Sequence, residues 1–132
     1  MNATVSRYLE AIDRKDAEGI RDALAPDVRM VGMAPDVFYL LEGADAATEK
    51  LAQWYASWGE EPAFSFLSLI QDGDRVVAEF ERTSTFEDAP WVVRQAHVIE
   101  LGPDGIAELR VYCSGPRQGT PELAAAYAGA AR

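Results

Sequence analysis

The hydrophobic pattern of this chain changes period once, and that change limits the folds it can adopt. In the first half, apolar residues recur every three or four positions, as on one face of a helix. In the second half they alternate, as in strands. Helices followed by strands are typical of α+β folds, in which helices cover one face of an antiparallel sheet. The 132 residues suffice for one core, so we expect a single domain over residues 1–132.

Three helices are predicted in the first half. The first covers about residues 4–15, and its apolar residues share one face: Val5, Tyr8, Leu9 and Ile12. Asp16 is placed to cap a short second helix, and Asp45 to cap a third. The third helix carries an aromatic stripe of Trp54, Tyr55 and Trp58. Between the second and third helices, residues 28–31 and 37–41 are predicted to be extended, with a loop over residues 33–36.

The second half predicts an antiparallel meander. Its strands are expected over residues 64–70, 75–86, 91–101 and 106–113, with tight turns at Asp72-Gly73-Asp74 and Pro103-Asp104-Gly105. In the third of these strands one face is mostly apolar and is predicted to point inward: Trp91, Val93, Gln95, His97, Ile99 and Leu101. A curved sheet covered by helices encloses a cone, and a cone with one open end forms a pocket.

Charge and composition exclude several classes of partner. Twelve basic residues against 22 acidic ones give a net charge of −10, which disfavours binding to nucleic acid or to an anionic membrane surface. One cysteine rules out an internal disulfide. No apolar run approaches the ~20 residues of a membrane span, and no secretory pattern is present, so we expect a cytoplasmic protein. The lone histidine and scattered carboxylates lack metal-ligand spacing, and neither a metal nor a cofactor is expected.

Several segments resemble a known family. They are the sequence RYLEAI at residues 7–12, DAEGI at 16–20, LAPDV at 24–28, and PDGI at 103–106 leading to LRVY at 109–112. In this order and spacing they resemble the NTF2-like superfamily, and within it the ketosteroid isomerase and SnoaL-like polyketide cyclase branch. The resemblance covers about residues 4–115. It implies an α+β cone in which a curved antiparallel sheet, mixed at one edge, wraps around three helices.

The resemblance also implies positions for catalytic groups. The isomerase tyrosine that holds the oxyanion matches Tyr8. Its general-base aspartate falls where this chain has Gly32 and Met33, and the nearest carboxylate is Asp36. Its second donor, a protonated aspartate, falls at Ala96 or His97 depending on a one-residue shift in the alignment, and the inward face of the strand favours His97. The departures at the base and donor positions argue against a steroid isomerase.

Each candidate residue has a functional and a structural interpretation. His97 is a predicted acid or base, or a hydrogen-bonded core histidine. Tyr8 is a predicted enolate donor, or a packed core residue, and Tyr8→Phe is expected to lower the rate with little change in stability. Asp36 is a predicted base, or a solvated turn residue. Gln95 is a predicted substrate-binding residue, or a residue at the solvated rim. The aromatic substrate-binding candidates, whose alternative is packing in the core, are Trp54, Tyr55, Trp58, Phe38 and Tyr39.

Two functions from different classes follow from this sequence. The first is a cofactor-independent acid/base enzyme acting on a small hydrophobic carbonyl compound, in an isomerisation, cyclisation or dehydration, with epoxide opening less favoured. The alternative is a non-catalytic module of the same fold that binds a small ligand or dimerises. In either case the expected partners are a small hydrophobic molecule and a second copy of the chain, bound through the outer face of the sheet.

Overall fold

Three helices and seven strands occur in the part of the chain that the computed structural model describes, residues 2–56, 63–86 and 89–118. The helices are α1 (Ala3–Arg14), α2 (Ala17–Ala23) and α3 (Ala44–Ala56). The strands are β1 (Leu24–Ala34), β2 (Val37–Glu42), β3 (Ala63–Asp72), β4 (Arg75–Phe86), β5 (Ala89–Gly102), β6 (Gly105–Cys113) and β7 (Arg117–Gln118). The α+β class and the predicted order of elements are confirmed.

The strands form one mixed sheet in the order β2-β1-β6-β5-β4-β3, and β7 pairs with β5. Strands β3 to β6 are the predicted antiparallel meander. Strand β1 pairs with β6 in parallel and with β2 in antiparallel orientation. The sheet is therefore mixed towards its β2 edge and antiparallel elsewhere, as the resemblance implied. Irregularities in the β1–β6, β3–β4 and β5–β6 pairings are the kind of bulge that bends a sheet.

Side-chain caps determine where the first two helices begin. The Asn2 side chain accepts hydrogen bonds from the amides of Thr4 and Val5 at the start of α1. Asp16 accepts from the Gly19 amide and caps α2 as predicted. The predicted cap of α3 is wrong, because the helix begins at Ala44 and Asp45 lies in its first turn. A carboxylate there still faces the positive end of the helix dipole.

Strand β1 is longer than the sequence predicted. Helix α2 ends at Ala23, and the chain is already extended at Leu24, so Pro26 lies within the strand and does not end the helix. Pairing with β2 runs up to Ala34 and Val37, which leaves Pro35 and Asp36 alone as the turn. The predicted loop over residues 33–36 is therefore half as long, because β2 provides hydrogen-bond partners for Met33 and Ala34.

The core lies between the three helices and one face of the sheet. Its helical side consists of the buried faces of α1, α2 and α3, including Tyr8, Ile20, Leu51 and Tyr55. On β5 the buried residues alternate as predicted: Val93, Gln95, His97 and Ile99. Trp91 and Leu101, at the two ends of that face, are half-buried. The strand placement that turns His97 inward is thus confirmed over the one that turns Ala96 inward.

Candidate functional site

A buried polar cluster lies in the otherwise apolar core, centred on His97. The Tyr8 hydroxyl oxygen is 3.0 Å from Nδ1 of His97. On the other side of the ring, Nε2 lies 2.9 Å from Oε1 of Gln95 and 3.2 Å from the Tyr55 hydroxyl oxygen. Tyr55 donates to the same Oε1 atom over 2.8 Å. We call Tyr8, Tyr55, Gln95 and His97 the His97 network.

Three elements supply the His97 network, and each does so by its own periodicity. Gln95 and His97 are two residues apart on β5, so both point to the inner face. Tyr8 lies on the buried face of α1 with Val5 and Ile12. Tyr55 lies on the buried face of α3, four residues after Leu51. The network therefore joins α1, α3 and the sheet at one point, and all four side chains are at most 1% exposed.

One assignment of protons accounts for the three shorter contacts in the His97 network. The Tyr8 hydroxyl donates to Nδ1, and Nε2–H donates to the Gln95 carbonyl oxygen, which also accepts from Tyr55. His97 is then a neutral imidazole that carries its proton on Nε2. In this arrangement neither ring nitrogen is free in the resting protein, because Nδ1 accepts and Nε2 donates.

Burial makes every member of the network neutral near pH 7. It lowers the pKa of His97 from 6.5 to about 3, because the charged imidazolium would lose its hydration. Burial also raises the pKa of Tyr8 and of Tyr55 well above their usual value. The amide of Gln95 does not ionise. The cluster can therefore polarise a ligand through hydrogen bonds, but it holds no fixed charge of its own.

The structure separates Asp36 from the His97 network. Asp36 is exposed, at a φ of 66°, in the turn between β1 and β2. Val111 on β6 pairs with Gly32 on β1 and with His97 on β5. Gly32 and His97 therefore lie at the same level of the sheet. Asp36 is four residues further on, beyond the end of β1, in the exposed turn that leads to β2. The nearest carboxylate to the family's base position thus does not reach the imidazole.

The aromatic candidates divide between the two faces of the sheet. Phe38 pairs with Met33 on the outer face and is 63% exposed, so it does not line the His97 network, contrary to the prediction. Tyr39 pairs with Gly32 on the inner face and packs against Trp54, with ring centroids 5.2 Å apart. The alternation along β2 accounts for this division. Trp58 lies outside the described residues.

At Gly32, where the resemblance places the general base of the isomerase, the chain has no side chain, and Trp54 fills the space. A Cβ atom at Gly32 would lie 2.8 Å from Cη2 of Trp54, which is closer than van der Waals contact allows. The indole therefore occupies the space that a side chain at this position would need. The absence of a carboxylate is evident from the sequence, but the indole that takes its place is not, because the contact depends on how α3 packs on β1.

Arg82 is a buried cation that the sequence analysis did not identify. Its side chain is 3% exposed and lies on the inner face of β4, two residues after Phe80. Its Nη2 atom lies 3.3 Å from the backbone oxygen and 3.8 Å from the carboxylate of Asp13, near the end of α1. Extending the alternation of Val76, Ala78 and Phe80 by one step would have found it. Arg82 connects β4 to the helix that carries Tyr8.

Two negative findings apply to the described residues. Within residues 2–56, 63–86 and 89–118, no three His, Cys, Asp or Glu side chains are grouped as metal ligands would be. In the same part of the chain, every helix is too short or too polar to cross a bilayer.

Solved structures with the same architecture show that this is an NTF2-like fold. A protein with a cystatin-like fold from Silicibacter pomeroyi DSS-3 is 24% identical, with a TM-score of 0.67 over 86% of this chain and 74% of that one. An NTF2-like protein from Burkholderia thailandensis E264 is 19% identical, with a TM-score of 0.68 over 84% and 88%. At these identities the similarity concerns the fold alone.

A third structure is similar and holds a small molecule. It is a protein with a ketosteroid isomerase-like fold from Catenulispora acidiphila DSM 44928, in complex with trimethylamine. It is 17% identical, with a TM-score of 0.64 over 87% of this chain and 88% of that one. The model of the SnoaL-like domain family matches residues 5–109, so the chain belongs to the SnoaL-like family. No functionally curated protein matches it.

Proposed function

We propose that this chain is a cofactor-independent acid/base enzyme of the isomerase type, acting on a small hydrophobic carbonyl compound. The observation that carries this proposal is the His97 network, four buried polar side chains joined by hydrogen bonds around one imidazole inside an apolar core. A purely structural core rarely contains so many polar groups, because each costs free energy to desolvate. Proton transfer beside a carbonyl needs a donor and an acceptor held together, and Tyr8 and His97 form such a pair.

The proposed reaction begins with a rotation of the Tyr8 hydroxyl. When Tyr8 donates to the carbonyl oxygen of the substrate instead of to Nδ1, the Nδ1 lone pair of His97 becomes free. Nδ1 then takes the proton from the α-carbon, and the electrons of the C–H bond move into the enolate, whose oxygen Tyr8 stabilises. In a β,γ-unsaturated ketone the enolate is conjugated with the C=C bond, so return of the proton from Nδ1 to the γ-carbon shifts the double bond and completes an isomerisation in which all atoms and charges balance.

The low pKa of His97 is compatible with this role. In the free protein the imidazolium is disfavoured by burial alone. In the reaction it forms beside an enolate, and an opposite charge within a few Å raises the pKa of a histidine. The base therefore becomes effective only when substrate is present, and water in an empty site would not protonate it.

A second candidate function is a binding module without catalysis. Two observations favour it: no carboxylate joins the His97 network among the described residues, and both imidazole nitrogens are occupied at rest. The trimethylamine complex of the Catenulispora protein shows a related fold holding a small molecule. In this case the His97 network would bind a ligand through hydrogen bonds without exchanging protons with it.

Exchange of α-hydrogens in D₂O separates the two functions without knowledge of the substrate. We expect the protein to accelerate deuterium uptake at the α-carbons of hydrophobic ketones, measured by loss of the ¹H NMR signal. His97→Gln and Tyr8→Phe should each lower that rate about 10²-fold or more. Tyr112→Phe, on the exposed outer face, is the matched control and should exchange at the wild-type rate. If the ketones bind but their deuterium uptake is not accelerated, the enzyme is excluded and the binding module is supported.

The structure changes the expected stability of the Tyr8→Phe variant. Tyr8 provides the hydrogen bond to Nδ1, and both groups are fully buried. Removing the hydroxyl leaves a buried acceptor without its donor, at a cost of about 1–3 kcal/mol. The sequence-based expectation of almost unchanged stability is therefore revised, and denaturant unfolding of the variant must accompany the exchange assay.

We also propose that two copies pair through the outer face of the sheet. Large apolar side chains are exposed there, including Met33, Phe38, Leu40 and Tyr112. A depression of about 370 Å³ lies on the same face and is bordered by Met33, Ala96 and Tyr112. A monomer rarely leaves such a patch open to water.

Light scattering tests the pairing. The wild-type protein is expected to have twice the mass of the chain at micromolar concentration, and Met33→Asp to reduce it to one chain, because a carboxylate would be buried without a partner. Ala17→Asp, on the exposed face of α2, should leave the mass unchanged. A wild-type protein of single-chain mass would exclude this interface.

A further inference from the structure

The carboxamide of Gln95 is held in one orientation and has an unused donor. Its Oε1 atom accepts from the Tyr55 hydroxyl at 2.8 Å and from His97 Nε2 at 2.9 Å. A carbonyl oxygen has two lone pairs, so both are occupied. The Nε2 atom of Gln95 is buried and has no hydrogen-bond partner among the described residues, and the residue is 1% exposed. Two N–H groups are thus fixed in place with nothing to bind.

An unused buried donor calls for a partner. Buried amide groups in proteins nearly always form hydrogen bonds, and an unsatisfied one destabilises the fold. With the His97 proton on Nε2, reversing the amide would place its NH₂ group against Nε2–H, so the oxygen keeps this position and the nitrogen keeps no partner. The arrangement is consistent with a donor that a ligand completes.

The Gln95 donor lies on the other side of His97 from the proposed reaction. Tyr8 contacts Nδ1, whereas Gln95 contacts Nε2, and these two nitrogens face in different directions from the ring. One ligand oxygen therefore cannot bind the Tyr8 hydroxyl and the Gln95 amide at once. Each position requires its own acceptor.

We propose that the Gln95 amide nitrogen binds a second acceptor oxygen of the ligand, remote from the carbonyl at Tyr8. The ligand class is then a neutral, hydrophobic compound with two separated acceptors, such as a diketone. This inference rests on the proposed function for the first of the two oxygens. A cationic amine does not fit the His97 network, which presents donors and contains no carboxylate.

The tautomer of His97 tests the orientation of the amide directly. If Gln95 turns its oxygen to Nε2, as described, His97 carries its proton on Nε2. If the amide were reversed, its NH₂ group would donate to Nε2, and the proton of His97 would have to lie on Nδ1. The chain has one histidine, so long-range ¹H–¹⁵N NMR of histidine-labelled protein gives a single, unambiguous pattern. A proton on Nδ1 would overturn the proposal. The reversed amide would then present its oxygen to the ligand, and an acceptor oxygen of the ligand would have no donor there.

Matched probes test the second subsite. Acetyl and ethyl groups are similar in size, so 1,4-diacetylbenzene and 4-ethylacetophenone differ mainly in the second acceptor. We expect wild-type protein to bind the diketone about tenfold more tightly, the value of one hydrogen bond to a buried donor. Gln95→Leu should bind both probes equally. Equal binding of the two probes by wild-type protein would overturn the proposal, and this comparison stands even where Gln95→Leu fails to fold.

The outcomes separate this inference from the proposed function. A tenfold preference with no deuterium exchange would support the second subsite and reject the enzyme in favour of the binding module. Exchange without any preference for the diketone would support the enzyme and reject the subsite.

Discussion

Lowering the pH from 7.5 to 4.5 is expected to remove about 2.5 kcal/mol of folding free energy through His97 alone. The pKa of this imidazole is about 3 in the folded protein, against 6.5 when unfolded, because burial disfavours the charged form. Between those two values the unfolded chain binds a proton that the folded chain does not. The contribution is therefore complete above pH 6.5 and is lost as the pH falls, at about 1.4 kcal/mol per pH unit.

The measurement compares wild-type protein with His97→Gln in urea at several pH values. Carboxylates also titrate in this range, but they are common to both proteins, so the difference in unfolding free energy isolates the histidine. The unfolding free energy of wild-type protein relative to His97→Gln should fall by about 2.5 kcal/mol between pH 7.5 and pH 4.5. In wild-type protein the ¹⁵N shifts of the one imidazole should stay constant down to about pH 4. An inflection near pH 6.5 would show that the ring is hydrated and that the network is not closed.

The periodicity of the sequence predicted most of the fold because each face is set by local spacing. The bounds of β4 were predicted to the residue, and the inward face of β5 followed from alternation that a one-residue slip would reverse. The parallel pairing of β1 with β6 was not evident, since it joins segments about 80 residues apart in a chain of otherwise local pairings. No local pattern encodes such a contact.

The candidate site was only partly predictable, for a similar reason. Tyr8, Gln95 and His97 each follow from the face they occupy, and the structure brings them together with Tyr55. The aromatic stripe of the third helix predicts Tyr55 only as a substrate-binding or packed residue, not as a hydrogen-bond donor. Whether a buried tyrosine packs or donates depends on what lies opposite, here Gln95 on another element. The displacement of Asp36 and the filling of the space at Gly32 by Trp54 likewise depend on tertiary packing.

Replacing Gly105 with alanine is expected to destabilise the protein by about 3 kcal/mol. Gly105 begins β6 at a φ of +125°, a region that residues with a side chain rarely adopt. A Cβ atom there would lie 2.8 Å from the backbone oxygen of Ala23 and 3.0 Å from the backbone nitrogen of Ala25. Because these are backbone atoms, they cannot move without shifting the junction between α2 and β1. Strain and overpacking of this kind cost about 1–3 kcal/mol each.

Gly73→Ala is the matched control for this prediction. Gly73 also has a positive φ, +59°, but a Cβ atom there would meet nothing within 4 Å. It should cost only about 1–2 kcal/mol, the strain of a left-handed residue. The close approach at Gly105 sets β6 against the start of β1, where Leu24 pairs with Ile106, and so positions the helices over the sheet. We therefore expect Gly105→Ala, but not Gly73→Ala, to alter the His97 imidazole signals in NMR, because Tyr8 reaches His97 from α1. Equal losses of unfolding free energy in the two variants would show that backbone strain alone accounts for Gly105, and that its contact with the α2–β1 junction does not position the network.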